Sequence, residues 1–496
     1  MLPTISVVTD AKSITADAVL LPASSAPAAV RARVRALGFT GGWGTASLVT
    51  VRERGVAAPW LGLLGLGPQG QAPEHIREGM RRAVAQATRE SRRHGVRVVV
   101  VDLRKQTDAA ALATAAVEGA VLANYRFTEH STRLQQQQRQ QAVRRLYILV
   151  AAPQQAVVRA ALRETQQILP GVLLARQLVN EPAEHMTPVA LVRAAREVAK
   201  SAPEISVKIL DRAAAAKQNF SAFLAVARGS QEEPYVIHLT YKPRRAAQGS
   251  APLKKIFLIG KGITFDSGGL SLKPGSTMES MKIDMAGAAA VLGVFSVLAN
   301  VNVNVEVQGV IAACENMPSG TAYRPGDVLK TKSGKTIEVF STDAEGRVTL
   351  ADAMTYALEQ QPDAMIDVAT LTGSSVVGLG ETHAGLWSSS TALGEALLGA
   401  AREAGEGLVL LPLPEEYKPM IQSQVADLRN TATTRYGDAI MAALFLQEFS
   451  GTVPWAHLDI AGPAYAEREI LPYWQHNCAT GYGVRTLIEF LKSYQP

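Results

Sequence analysis

Lys261-Gly262-Ile263-Thr264-Phe265-Asp266-Ser267-Gly268-Gly269 directly follows the apolar run Lys255-Ile256-Phe257-Leu258-Ile259-Gly260. The run reads as a buried strand, and the charged, glycine-rich segment as the loop that it enters. Two further pieces share this character. Met281-Lys282-Ile283-Asp284-Met285 opens into Ala286-Gly287-Ala288-Ala289-Ala290-Val291-Leu292, a small-residue run of helical character. Ser341-Thr342-Asp343-Ala344-Glu345-Gly346-Arg347 precedes another helix-like segment. Asp266, Asp284, Asp343 and Glu345 are thus offered, with Lys261 and Lys273, from the ends of elements in one apolar region. Carboxylates gathered this way repel one another unless cations join them, which points to a metal site.

Around this centre the chain alternates strand-like and helix-like runs. Val236–Tyr241, Lys255–Ile259, Val303–Ala312, Ala364–Ala369 and Trp455–Ile460 read as strands. Ala286–Leu298, Arg347–Glu359, Ala392–Ala404, Ala439–Phe449 and Gly481–Lys492 read as helices. A mostly parallel sheet with helices on both faces is expected, and such sheets place their sites beyond the carboxyl ends of strands. The amino-terminal part repeats the alternation, with strands at Ile5–Val8, Ala18–Leu21, Leu61–Leu64 and Val96–Val101 and helices at Glu74–Arg93 and Ala109–Ala123. The expected fold class is α/β in two domains: residues 1–170, non-catalytic, and the larger 171–496, catalytic. Pro170 is expected to end a helix, and Leu134–Arg145, with four successive glutamines, to form an exposed loop.

Composition narrows the function classes. Of the 496 residues, 47% are hydrophobic and 19% charged, which excludes disorder. Apolar stretches broken well short of ~20 residues predict no membrane span, and the first residues lack a signal-peptide pattern. Two cysteines, Cys314 and Cys478, fit a reducing, cytoplasmic setting and exclude a cysteine-built zinc site. The net charge of +6 is uneven: residues 1–150 carry 20 Lys+Arg against 10 Asp+Glu, and the remainder 30 against 34. The basic part permits DNA binding, although a solvated arginine-rich surface gives the same count. Gly65-Leu66-Gly67-Pro68-Gln69-Gly70 has dinucleotide-site spacing. Prolines delay its helix and no acid stands ~20 residues on, so a turn is expected.

The oxygen-rich donor set suits Mn, Zn or Mg, and bridging carboxylates suit a pair of ions. Lys261 ligates a cation only as the neutral amine, which nearby dications would favour. Lys273, if it stays charged, could polarise a substrate carbonyl, and Arg347 could hold an anion or a water acting as base. Each piece also has a structural reading: Asp266-Ser267-Gly268-Gly269 as a turn, Thr342-Asp343-Ala344-Glu345 as a capping box, Asp284 as a helix cap.

These motifs, with Cys314-Glu315-Asn316-Met317-Pro318, Tyr323-Arg324-Pro325-Gly326-Asp327 and Ala369-Thr370-Leu371-Thr372-Gly373, resemble those of the leucyl (cytosol) aminopeptidase family. The likeness runs from about Leu173 to the end. Ser341 stands where the family has Asn, Lys217–Phe220 where it has a glycine-containing loop, and Asp438 where a second glycine is usual. The resemblance implies a two-metal exopeptidase. Lys261, Asp266, Asp284, Asp343 and Glu345 would hold two divalent ions, Mn2+ or Zn2+. Lys273 and Arg347 would be catalytic, with a bicarbonate at Arg347. Met281, Thr370, Gly373 and Ala461 would line the substrate pocket. It further implies peptides with a free amino terminus as substrates, cleaved by a water bridging the two ions, a preference for Leu or Met, and a homohexamer. A DNA-binding protein on the same fold, a catalytically silent hexamer and a phosphoryl-transfer enzyme are the other readings weighed. The complete set of expected ligands argues against the second, and the lack of a phosphate-binding loop against the last.

Overall fold

The computed structural model describes residues 2–494 apart from 11–13, 37, 51–57, 69, 245–252 and 302. The chain divides into two compact units, Met1–Leu169 with Ala466–Cys478, and Pro170–Tyr465 with Ala479–Pro496.

Unit 1 is built on six strands: β1 (Thr4–Val8), β2 (Ala18–Pro22), β3 (Ala46–Thr50), β4 (Trp60–Leu64), β5 (Val98–Asp102) and β6 (Arg145–Leu149). They lie in the order β1-β6-β5-β2-β4-β3. All pairs are parallel except β3 with β4. The helices are α1 (Ala28–Ala36), α2 (Pro73–Arg93), α3 (Ala109–Asn124), α4 (Thr132–Gln141) and the start of α5 (Gln155–Asn180). Two expectations are corrected here. The glutamine run is helix α4, not a loop: the Ser131 side chain accepts from Leu134 N and caps it, and Gln138 is buried, donating to Asn124 O at 2.9 Å. Pro170 does not end α5, which passes through it. A helix-interior proline costs about 3 kcal/mol, and buried Leu169 and Val172 offset it on either side. Gly65 follows β4, and a Cβ there would lie 2.1 Å from Gly42 O, so the glycine serves packing. Gln69 of that motif lies outside the described residues.

Unit 2 carries β7 (Ile205–Leu210), β8 (Tyr235–Tyr241), β9 (Lys255–Asp266), β10 (Glu306–Asn316), β11 (Val328–Lys330), β12 (Thr336–Glu338), β13 (Ala364–Ala369), β14 (His383–Ser388), β15 (Gly407–Leu410), β16 (Leu428–Arg429) and β17 (Trp455–Asp459). Eight form a sheet in the order β15-β14-β17-β13-β9-β10-β8-β7. Its centre, β17-β13-β9-β10, is parallel, whereas β8, β7 and β14 pair antiparallel to their inner neighbours. The helices are α6 (Pro188–Lys200), α7 (Arg212–Lys217), α8 (Ser221–Ala227), α9 (Gly275–Met278), α10 (Ala286–Phe295), α11 (Glu345–Leu358), α12 (Gly373–Leu379), α13 (Thr391–Ala404), α14 (Asp438–Gln447) and α15 (Val484–Ser493). Thr187 stands at the N-cap of α6 but makes no side-chain cap bond. Asn219, in the stretch where the family has a glycine-containing loop, takes the left-handed φ of 61°, a conformation that asparagine tolerates.

β9 organises the unit. Its strand period sends alternate side chains to opposite faces. Phe257 and Ile259 join a core with Phe223 of α8 and Val348 of α11. Gly260 faces the other way, where a Cβ would lie 2.7 Å from the Ala288 backbone of α10. Gly287 fits as closely: its Cβ would meet Val368 O of β13 at 2.0 Å. The small-residue run therefore lets α10 lie directly on the central strands. By length and composition, Met281–Asn300 passes for a membrane span, yet 78% of that window is buried inside the protein. It is core, its apolarity matching a site with protein on all sides.

Candidate metal centre

β9 extends to Asp266, beyond the strand expected from its apolar run, so Lys261 and Asp266 sit on strand backbone and not on a loop. The other members come from neighbouring element ends. Asp284 lies in the 3-10 turn Met281–Met285. Asp343 precedes α11 and Glu345 starts it. Thr370 follows β13, and Asn316 ends β10.

The side chains converge. Lys261 Nζ lies 2.7 Å from Asp284 Oδ1 and 2.9 Å from Glu345 Oε1, and donates to Thr370 O at 3.0 Å. Lys273 Nζ lies 2.8 Å from Asp266 Oδ2 and also pairs with Asp343. Asp266, Asp343 and Glu345 offer ligand atoms within 4.8 Å of one another. Four carboxylates thus face two ammoniums. Burial raises Asp266 and Asp284 above the usual carboxylate range, Glu345 adding to it, while the lysines pull them down. Burial opposes the charge on Lys261, but Asp284, Glu345 and Asp266 together hold its pKa above the ordinary lysine value. Lys273 is raised likewise by Asp266, Glu345 and Asp343 against its burial.

The donors fit divalent cations. Asp284 Oδ2 and Glu345 Oε2 are buried and have no hydrogen-bond donor among the described residues. An unpaired buried carboxylate oxygen is costly, and a hard dication is the partner such oxygens take. Space is also reserved: a Cβ on Gly346 would lie 2.6 Å from Lys261 Nζ, and one on Gly268 (φ +85°) would lie 2.9 Å from Asp343 Oδ1.

The structural readings resolve unevenly. The Asp266 turn is real, Oδ1 accepting from Gly268 N at 2.9 Å. The capping box does not form, because α11 is capped at Ala344 without a side-chain bond. Thr342 Oγ1 instead donates to Gly268 O at 2.6 Å, tying the two acidic loops together. Asp284 makes no cap bond for α10; its Oδ1 accepts from Thr370 Oγ1 at 2.8 Å.

Arg347 is buried in α11 and donates from Nη1 to Asn430 O at 2.8 Å. Burial lowers its pKa, against Asp438, Glu345 and Asp459. Met281 and Ala461 are half-buried and Gly373 exposed, with open space where its Cβ would stand. Sequence reasoning gave no role to Asn316, Asn430 or Asp459. Asn316 Nδ2 donates to Asp266 Oδ1 at 2.8 Å and to Thr342 O at 2.9 Å. Asn430 Oδ1 accepts from Phe340 N at 2.8 Å and its Nδ2 donates to Ser341 O at 2.6 Å. Asp459 accepts from Leu371 N at 3.2 Å, Thr372 Oγ1 at 2.6 Å and Ala461 N at 3.1 Å. Two amides and a lone carboxylate far apart in sequence carry no local signal. The nearest hint was the Cys314–Pro318 motif around Asn316.

Buried Asp266, Asp284 and Glu345, with the more exposed Asp343 and two lysines, gather around the end of β9 and define the centre of a metal-dependent hydrolase. Residues 173–488 match the cytosol aminopeptidase family's catalytic domain, and residues 5–133 its N-terminal domain. The chain is 44% identical over 433 residues to a probable cytosol aminopeptidase of Thermosynechococcus vestitus, covering 87% of this chain and 84% of that protein. It is 44% identical over 437 residues to one of Roseiflexus castenholzii, covering 87% and 86%. Among solved structures, the bottromycin maturation enzyme BotP matches with a TM-score of 0.82 at 36% identity, over 96% of this chain and 99% of that one. Its complex with Mn matches with a TM-score of 0.81. The chain belongs to the cytosol aminopeptidase family. It is a metal-dependent aminopeptidase using divalent cations, and its substrates are peptides with a free amino terminus.

Proposed function

We propose that the enzyme releases amino-terminal residues, preferably Leu or Met, from peptides at this centre. The observation that carries the reading is the pair of donorless buried oxygens, Asp284 Oδ2 and Glu345 Oε2, on either side of Lys261. Asp266, Asp343 and Glu345 would hold one ion, and Lys261, Asp266, Asp284 and Glu345 the other, with Lys261 as a neutral amine. When bound, the ions supply Lewis acidity and make a water acidic enough to act as nucleophile near neutral pH. Lys273 donates from Nζ to the oxyanion developing on the scissile carbonyl. Arg347 would hold an anion such as bicarbonate, which when bound would supply a base for the proton of the attacking water. Met281, Gly373 and Ala461 form an apolar wall for the first side chain, with Thr370 at its base. Met281 adapts to linear side chains, whereas a charged one lies desolvated and unpaired. Residues 1–170 would take no part in the chemistry. By family resemblance the enzyme is a cytoplasmic homohexamer, which size-exclusion chromatography with light scattering tests.

The decisive assay is hydrolysis of leucine p-nitroanilide by chelated protein given Mn, Zn or Mg, with N-acetyl-leucine p-nitroanilide as control. Activity restored by a divalent ion and confined to the free amine is expected. Equal cleavage of the acetylated compound, or equal kcat/KM for Asp-, Lys- and Leu-peptides, refutes the respective part.

A further inference from the structure

Unit 1 contains a cleft of about 100 Å³ whose wall includes Arg89, Arg92, Arg93 and Arg126, with Glu469 as its acid. The charges do not balance. Arg89 pairs with Glu469 and donates from Nη1 to Pro472 O at 3.5 Å. Arg92 is 4% exposed. Its Nη1 donates to Asn124 O at 2.9 Å and its Nη2 to Gln138 Oε1 at 2.6 Å. Both of those partners are neutral, and its Nε is buried without an acceptor among the described residues. Arg126 is half-buried and has no ion pair or hydrogen bond among the described residues. One carboxylate therefore serves a wall of four guanidiniums.

Such an arrangement carries a cost that proton loss does not relieve. Burial, then Arg126 and Arg89, push Arg92 down to about 10. Burial and Arg89 lower Arg126 as well. A guanidinium at pKa about 10 is still charged at neutral pH, so the repulsion stays until an anion enters. The planar fork of arginine suits an oxyanion with several acceptor oxygens. A cleft of about 100 Å³ admits one phosphate-sized group and no more.

We propose that this cleft is a binding site for a small phosphate-class oxyanion, free or at the end of a flexible molecule, held by Arg126 and Arg89 over the buried charge of Arg92. This goes beyond the aminopeptidase reading and does not depend on it, since all of these residues lie in unit 1.

The test uses the full chain loaded with Mn, titrated with inorganic phosphate against chloride at matched ionic strength. Calorimetry and thermal melting are read. Wild type is expected to show saturable binding and a rising melting temperature. Arg126→Ala, brought to the same metal content so that phosphate on the ions cancels, is expected to bind at least tenfold more weakly. Without phosphate it melts higher than wild type, because the repulsion is gone, and its kcat/KM for leucine p-nitroanilide stays within twofold. Glu469→Gln removes the competing anion and is expected to tighten binding. Duplex DNA, whose backbone cannot enter so small a cleft, should leave the titration unchanged. Identical titrations of wild type and Arg126→Ala overturn the proposal. So does a wild type that responds to phosphate no more than to chloride, and displacement by DNA overturns the small-anion assignment.

Discussion

The Arg347 guanidinium donates from Nη1 to the main-chain carbonyl of Asn430 at 2.8 Å, while the Asn430 side chain accepts from Phe340 N at 2.8 Å and donates to Ser341 O at 2.6 Å. One residue thus aligns both the arginine and the loop that presents Asp343 and Glu345. The Arg347 Nε is buried and has no acceptor among the described residues. It is available to an anion without breaking any existing bond.

Arg347→Ala and Lys273→Ala are expected to retain metal and lose kcat. Removing one group that stabilises developing charge costs about 10²–10³ in kcat. Metal analysis beside steady-state rates checks this. A variant depleted of both metal and activity would reassign its residue to the ligand set.

Glu345→Ala and Asp266→Ala are expected to lose metal and activity together. Gly346→Ala should resemble them more mildly, since its new methyl would press on Lys261 Nζ from 2.6 Å. Lys261→Ala should weaken one ion more than the other. An active Glu345→Ala enzyme with two metals per chain would end the proposed mechanism.

Asp459 accepts from Leu371 N and Thr372 Oγ1, which lie beside Thr370 and Gly373, and from Ala461 N, and so joins two stretches that would wall the proposed substrate pocket. Asp459→Ala should let the walls drift apart. A misplacement near 1 Å costs up to about 10²-fold, so kcat/KM should fall roughly 10- to 100-fold with metal content unchanged. The loss should fall mainly on KM and blur the preference among first residues. Asp459→Asn, keeping one acceptor oxygen, should recover part of it. An unaltered substrate profile in a destabilised Asp459→Ala protein would reduce the residue to a structural one.

His457 and Asp367 form a fully buried pair at 2.6 Å, and Asp367 also accepts from Trp455 Nε1 at 2.8 Å. Burial alone would lower the histidine, but Asp367 and then Asp459 raise its pKa above 6.5. A histidine with a raised folded-state pKa binds its proton more tightly when native. Its stabilisation is therefore complete below about pH 6.5 and is lost as pH rises through the folded value. Breaking such a pair costs about 3–5 kcal/mol. The gap in melting temperature between wild type and His457→Gln should shrink from pH 6 to pH 9. A gap that widened over that range would contradict the assignment.

The parts of this molecule legible in sequence were those written in local patterns. The strand at Lys255, the small-residue helix after Met285 and the three acidic pieces each announce themselves within ten residues. The extension of β9 to Asp266 was not legible, because Lys261 and Asp266 look like loop residues until their partners on α11 and β10 are in place. The roles of Asn316, Asn430 and Asp459 were hidden for the same reason. Each acts mainly through bonds to residues tens of positions away, and an isolated amide or carboxylate looks alike at any site. The helix at Thr132 was misread because glutamine repeats are associated with disorder, while its cap, Ser131, was the local signal that could have found it.

That helix has a consequence for how the gene can drift. Repetitive tracts gain and lose codons more readily than ordinary sequence, and this one sits in register with a buried arginine: Gln138 accepts from Arg92 Nη2 at 2.6 Å. Each residue added or removed turns the remainder of the helix by about 100°. Gaining one glutamine leaves a glutamine opposite Arg92 and shifts only the residues beyond it. Losing one brings Arg139 into that place, setting a second guanidinium against the first. Length variants should therefore be lopsided, with insertions folding and deletions failing, and expression of the two single-codon variants side by side would show it.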